Sequence, residues 1–189
     1  GTAWTQKGAD IDGELAGDRS GWSVSLSSDG LTLAVGAPFN AGNGDASGHV
    51  RVYSYNGTAW DQLGADINGE AANDYSGWSV SLSSDGLTLA VGAPRNDDNG
   101  DDSGHVRVYS YNGTAWTQKG ADIDGELAGD QSGTSVSLSS DGTTLAVGAN
   151  RNAGNGTDSG HVRVYNLVNT SVPTASNVSA ATVKNTNAT

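Results

Sequence analysis

Cysteine and methionine are both absent from the 189 residues. Without cysteine the chain forms no disulfide and no thiolate metal site. Missing both oxidisable sulfur residues, it fits a location outside the cell. The missing methionine includes the initiator, which points to a processed or excised product. Proline occurs three times and phenylalanine once. No apolar run approaches the roughly 20 residues that a membrane-spanning helix needs, and no signal-peptide pattern is present. Basic residues are scarce, nine Lys and Arg against 21 Asp and Glu, for a net charge of -12. So acidic a chain repels nucleic acid and anionic lipid, and its natural small partners are cations.

Glycine, by contrast, supplies 28 residues. That suits short strands and tight turns, and helical periodicity of useful length is missing. Almost the same phrase recurs every 56 residues: Trp4, Trp60 and Trp116 open it, and His49, His105 and His161 lie near its end. The repeat is therefore the unit of folding. It divides the chain into repeat 1 (1–56), repeat 2 (57–112), repeat 3 (113–168) and a Ser/Thr/Asn-rich stretch (169–189), read as a linker or the start of a further module.

Within one copy, Gly21 to Ser27 alternates Trp22, Val24 and Leu26 with serines, the pattern of a half-buried strand. Ser28-Asp29-Gly30 is a hairpin turn, because Asp-Gly tolerates positive φ. Leu31 to Ala37 is the second strand, ended by Pro38, and His49 to Tyr55 is the third. Asn56-Gly57 turns into a fourth strand, Thr58 to Asp66. Ser23, Ser25, Ala34 and Gly36 present a small face that lets a neighbouring sheet approach. Trp22, Leu26, Leu33 and Val35 present a larger face that fills the gap. The fold class is all-β: three four-stranded antiparallel propeller-type blades on the 56-residue repeat, shifted by one strand. The alternative is a β-solenoid-like stack of sheets.

The phrase Gly21-Trp22-Ser23-Val24, Gly36-Ala37-Pro38 and Gly48-His49-Val50-Arg51-Val52-Tyr53 resembles the FG-GAP repeat, the blade unit of integrin α-subunit propellers and of many bacterial surface proteins. Copy two repeats it at Gly77-Trp78 and Gly92-Ala93-Pro94. Copy three carries Thr134 for the Trp and Asn150 for the Pro. The resemblance implies a non-catalytic, exported, surface-exposed module. Many members of the family hold calcium in an Asp-rich first hairpin. Here that hairpin has a single carboxylate per copy (Asp29, Asp85 or Asp141), too few for a cation that takes 6–8 oxygens.

Carboxylates concentrate in the two long loops of each copy, which strand direction places at one end of the blade. Asp10, Asp12, Glu14, Asp18 and Asp45 belong to the first set. Asp66, Glu70, Asp74, Asp98 and Asp101 form the second, and Asp122, Asp124, Glu126, Asp130 and Asp158 the third. These are the candidate Ca2+ ligands; the competing reading is Asx-turn chemistry and solubility. No cofactor is expected to be required, and Ca2+ is the candidate ion. The three histidines, one per copy, are read as ordering the start of the third strand through an interblade hydrogen bond. Arg51, Arg107 and Arg163 are expected to pair with loop carboxylates. A Ser-His-Asp triad is rejected, because every member would recur in each blade with none singled out. Asn155, Asn169 and Asn177 open glycosylation-type triplets, as do the turn residues Asn56 and Asn112.

The chain starts with a fourth strand, Ala3 to Asp10, and copy three stops at a third strand, His161 to Leu167. An unpaired strand edge invites another chain. Ala3, Trp4, Thr5, Gln6 and Lys7 of one molecule are thus expected to complete the blade of His161, Val162, Arg163, Val164 and Tyr165 of a neighbour. The partners expected are copies of itself, joined head to tail as a filament, a longer array or a six-bladed two-chain ring. The alternative is a Ca2+-dependent module binding a surface glycan or protein through the acidic loop face.

Overall fold

The computed structural model describes residues 1–168. The linker expected at 169–189, with Asn169 and Asn177, lies outside the described residues. Every regular element is a β-strand. Three antiparallel sheets follow one another along the chain. Blade 1 holds β1 (Ser23–Leu26), β2 (Thr32–Ala37), β3 (His49–Tyr55), β4 (Trp60–Gln62) and β5 (Ile67–Asn68). Blade 2 repeats it as β6 (Ser79–Leu82), β7 (Thr88–Ala93), β8 (His105–Tyr111), β9 (Trp116–Gln118) and β10 (Ile123–Asp124). Blade 3 has β11 (Ser132–Leu138), β12 (Thr144–Ala149) and β13 (His161–Asn166). It is an all-β repeat of propeller-type blades, with no closed barrel among the described residues.

The turns form where the sequence dictates. Asp29 Oδ1 accepts hydrogen bonds from Ser27 Oγ at 2.6 Å and from Leu31 N at 2.9 Å. Both bonds hold the Asp29 carboxyl below its usual range, the Ser27 hydroxyl contributing most. Asn56 Oδ1 caps the second hairpin by accepting from Thr58 N and Ala59 N.

The expected fourth strand needs a correction. Within Thr58 to Asp66 only β4 forms, and pairing resumes just beyond it at β5, both strands paired with β3. Gly64 takes a left-handed φ of 82°, which breaks the extended run. The excursion carries the Leu63 carbonyl to the next blade, where Trp116 Nε1 donates to it at 2.9 Å. The segments on both sides of Gly64 stay with blade 1, and the Leu63 carbonyl between them ties it to blade 2. The matching segment at the start of the chain, Ala3 to Asp10, forms no strand within the molecule, and Trp4 is fully exposed. Only its end is placed: Lys7 O accepts from Trp60 Nε1 at 2.8 Å.

Blades pack face to face by one rule used twice. The small face of blade n meets the large face of blade n+1. Ser23 Oγ donates to Gly77 O at 2.7 Å, and Leu82 N donates to Ser25 Oγ at 2.9 Å. One repeat on, Ser79 Oγ donates to Gly133 O and Leu138 N to Ser81 Oγ at the same distances. A Cβ on Gly36 would land on the Gly77 carbonyl, so only glycine permits this approach. The first core, between blades 1 and 2, joins Val50 and Val52 to Val80, Leu82, Leu89 and Val91. The second joins Ala90 and Val106 to Leu145 and Val147.

Candidate functional site: the carboxylate–histidine loop face and the two open blade faces

Both long loops of each copy emerge at one end of the blades, and the third strand starts there with its histidine. In blade 2, His105 Nδ1 lies 3.9 Å from Glu70 Oε2, 3.8 Å from Asp98 Oδ2 and 3.9 Å from Asp122 Oδ2. Glu70 comes from the loop linking blades 1 and 2, Asp98 from the β7–β8 loop, and Asp122 from the residues before β10. Their ligating atoms lie within 4.8 Å of one another. In blade 1 the group shrinks to Glu14, His49 and Asp66. Gly42 stands where blade 2 has Asp98. In blade 3, among the described residues, only Glu126 reaches His161, at 3.7 Å. Such a cluster can hold a metal ion.

All of these carboxylates except Asp98 are anchored through their other oxygen. Arg107 Nη1 lies 3.1 Å from Glu70 Oε1, and Gln118 Nε2 donates to Asp122 Oδ1. Gln62 Nε2 does the same for Asp66 Oδ1 at 2.7 Å. The arginines pair with loop carboxylates as expected: Arg51 with Glu14, Arg107 with Glu70, Arg163 with Glu126. The histidines depart from expectation. His105 is 1% exposed, and its Nδ1 has no hydrogen-bond partner, interblade or otherwise. Burial pushes the His105 imidazole below its ordinary value and Arg107 adds to this, against an upward pull from Asp122, Glu70 and Asp74. Burial likewise pushes His49 down, while Asp66 and Glu14 oppose it.

The remaining sequence candidates are spread out. Asp18, Asp74 and Asp130 are buried. Each clamps its own loop to the next: Asp18 Oδ2 accepts from Leu15 N and Asn40 Nδ2, and the other two repeat this with Asn96 and Asn152. Asp10 Oδ1 accepts from Gln6 Nε2 at 2.8 Å. Asp12 offers its carbonyl to Arg51, and Asp45 and Asp101 offer theirs to the amides of Asn73 and Gly129. Asp124 lies in β10, paired with His105. Asp158 sits at a left-handed φ of 52°. None of these nine joins the groups around His49 and His105.

An aromatic group escaped the sequence reading. Trp22 and Trp78 approach to 4.7 Å between ring centroids, with Phe39 and Tyr75 against them. Arg19 covers Phe39 and Arg95 covers Tyr75. The rings come from three separate stretches, and only the two tryptophans share a repeat position.

The other site is the pair of end faces. Val80 and Leu82 of blade 2 are buried at 9% and 7%, whereas their blade 1 equivalents, Val24 and Leu26, stand at 62% and 57%. At the far end, Val162 and Val164 on the small face of blade 3 are 68% and 66% exposed. Their equivalents Val50 and Val52 are fully buried. Among the described residues, no fourth strand covers the β13 edge. One end thus presents a free large face and the other a free small face.

A family model described as the FG-GAP repeat matches three stretches, residues 9–53, 68–109 and 121–165. No curated protein sequence matches. Among solved structures, Kuenenia stuttgartiensis hydrazine synthase aligns with a TM-score of 0.44 and 16% identity, over 77% of this chain and 32% of that one. The tricorn protease aligns with a TM-score of 0.40 and 10% identity, over 68% and 11%. The chain thus spans a third or less of either protein's length.

Proposed function

The chain belongs to the FG-GAP repeat family, and from that premise we propose a non-catalytic structural or adhesive repeat protein of the cell exterior that associates head to tail. The observation that carries this reading is the pair of open faces. They are the two halves of the interface already used twice inside the molecule. Continuing the repeat register, Ser135 Oγ of one copy donates to Gly21 O of the next, and Ser137 Oγ accepts from Leu26 N. In the same register Trp4, Thr5 and Gln6 pair with Leu167, Asn166 and Tyr165, as Trp60, Asp61 and Gln62 pair with Tyr55, Ser54 and Tyr53. Three blades are fewer than the 4–8 of a typical closed ring. A heterologous contact of this kind gives a filament or longer array, or closes as a six-bladed pair.

The test is light scattering with electron microscopy at rising concentration. The wild-type chain should form end-to-end particles. Removing residues 1–10 should abolish them while the melting of blades 2 and 3 is retained. A wild-type chain that stays monomeric at high concentration overturns the proposal.

A second reading draws on the loop face. The convergence of carboxylates at Glu14 and Asp66, and at Glu70, Asp98 and Asp122, supports cation binding, with Ca2+ as the ion that a glycan- or protein-binding module would use. A rise in melting temperature with millimolar Ca2+, reversed by chelator, would favour it.

A further inference from the structure

We propose that Glu70, Asp98, His105 and Asp122 form a site for a divalent transition-metal ion of the Zn2+ type, held by one imidazole nitrogen and three carboxylate oxygens. The inference rests on the loop face binding cations, and it replaces Ca2+ by a different ion at this one position.

Two independent observations meet here. The first is convergence: oxygens from three separate segments point at one nitrogen, each 3.8–3.9 Å away. The second is the nitrogen itself. His105 is 1% exposed, and its Nδ1 lacks any hydrogen-bond partner. A buried polar atom left unpaired costs about 1–3 kcal/mol. Neither tautomer removes that cost without a cation. A protonated Nδ1 finds no oxygen near enough to accept, and an unprotonated one aims its lone pair at three carboxylates. A cation among the four donors satisfies the lone pair and the clustered negative charge together.

The donor set selects the ion. Ca2+ takes 6–8 oxygens, and imidazole is a ligand for softer divalent ions. One nitrogen and three oxygens match a four-coordinate ion at about 2.0–2.2 Å from each donor, which puts donors about 3.4 Å apart. The nitrogen–oxygen separations of 3.8–3.9 Å need a contraction of about 0.4 Å on that scale, and the carboxylate oxygens, within 4.8 Å of one another, must also draw together. Glu70 and Asp98 are 42% and 57% exposed, so their side chains are free to close and leave the ion a path from solvent. The outer contacts favour occupancy as well. Arg107 fixes one oxygen of Glu70, and Gln118 one of Asp122, turning the free oxygens inward.

The repeat supplies internal controls. Blade 1 offers Glu14, His49 and Asp66 but has Gly42 in place of Asp98. Blade 3 offers Glu126 and His161 and has Gly154. Among the described residues, blade 2 alone brings four donors together.

Calorimetric titration of the chelator-treated full chain, separately with Zn2+, Mn2+ and Ca2+, tests the site. The expected result is one tight Zn2+ equivalent per chain, at least about tenfold tighter than Ca2+. Co2+ should give a visible absorption band, which His105→Gln removes. Asp98→Asn should weaken Zn2+ about tenfold or more without altering the melting curve in chelator. Gly42→Asp should add a second tight equivalent. Asp98 N and Gly42 N make the same bond to Asn96 and Asn40, so the backbone is alike, and the added Cβ, 2.9 Å from Asn40 Oδ1, needs that amide to give slightly. If His105→Gln fails to fold, Asp98→Asn and Gly42→Asp still decide. Tighter binding of Mn2+ than Zn2+ with the same variant effects keeps the site and shifts the ion to a harder one. Zn2+ bound no tighter than Ca2+, or a stoichiometry indifferent to both variants, overturns the proposal. In that case Ca2+ binding alone would preserve the loop-face reading, and no cation binding would end both.

Discussion

Leu89 is the residue on which the packing argument is most easily tested. It is fully buried between blades 1 and 2, against Val50, Val52 and Val91. Leu89→Ala should cost about 2–5 kcal/mol, the transfer loss and the cavity together. Its counterpart Leu33 lies on the free face of blade 1 and is only half-buried. Leu33→Ala should therefore cost clearly less, in urea melts of both variants side by side. Equal costs would mean that the face of blade 1 is covered in solution, which is itself what head-to-tail association predicts. The comparison should be made at the lowest workable concentration for that reason. Glycine tells the same story from the other side. Gly36 and Gly92 face a carbonyl of the next blade, at Gly77 and Gly133, whereas Gly148 meets only Ser135 of its own sheet.

At the level of elements, the chain behaves as a row of units in which each blade contacts only its neighbours. Stability in such a row is a sum of unit and interface terms, so the middle unit, held on both faces, opens last. Amide hydrogen exchange should find β6, β7 and β8 slowest, and β1 and β13 fastest. Uniform protection across the three sheets would contradict the row. Much of this layout was legible beforehand. Asp-Gly and Asn-Gly turns punctuate the copy, and the alternation from Trp22 to Leu26 fixes which face is small. Gly64 marks the break in the fourth strand, but a glycine inside a strand pattern does not by itself show a break, and the Leu63 carbonyl meets Trp116 of the next blade only once the chain is folded. The histidine group was not legible either. Glu70, Asp98, His105 and Asp122 come from different segments, and a residue present in every copy reads first as scaffold. What distinguishes blade 2 is one aspartate where its sisters have glycine, a signal with no weight until the loops are folded together.

For the whole molecule, charge and shape oppose each other. A net charge of -12 makes two copies repel at long range, while the free faces offer apolar surface and a strand edge. Each internal junction already brings carboxylates together: Asp66 stands with Glu14 at His49, and Asp122 with Glu70 at His105. A head-to-tail junction repeats this. Asp10 of the incoming copy is the counterpart of Asp66 and Asp122, and it arrives beside Glu126 and His161 of the first. The repulsion has a diffuse part, screened by salt, and a local part, which a divalent ion neutralises. Raising ionic strength from 0.01 M to 0.15 M shortens the screening length from about 30 Å to about 8 Å, so association should strengthen over that range. Micromolar Zn2+ at fixed ionic strength should strengthen it further if the junction forms as the repeat dictates. Asp10→Asn separates the two parts. Sedimentation should show its salt response intact and its Zn2+ response reduced. If Asp10→Asn associates and responds to Zn2+ as wild type does, Asp10 does not sit at the junction and the register is wrong.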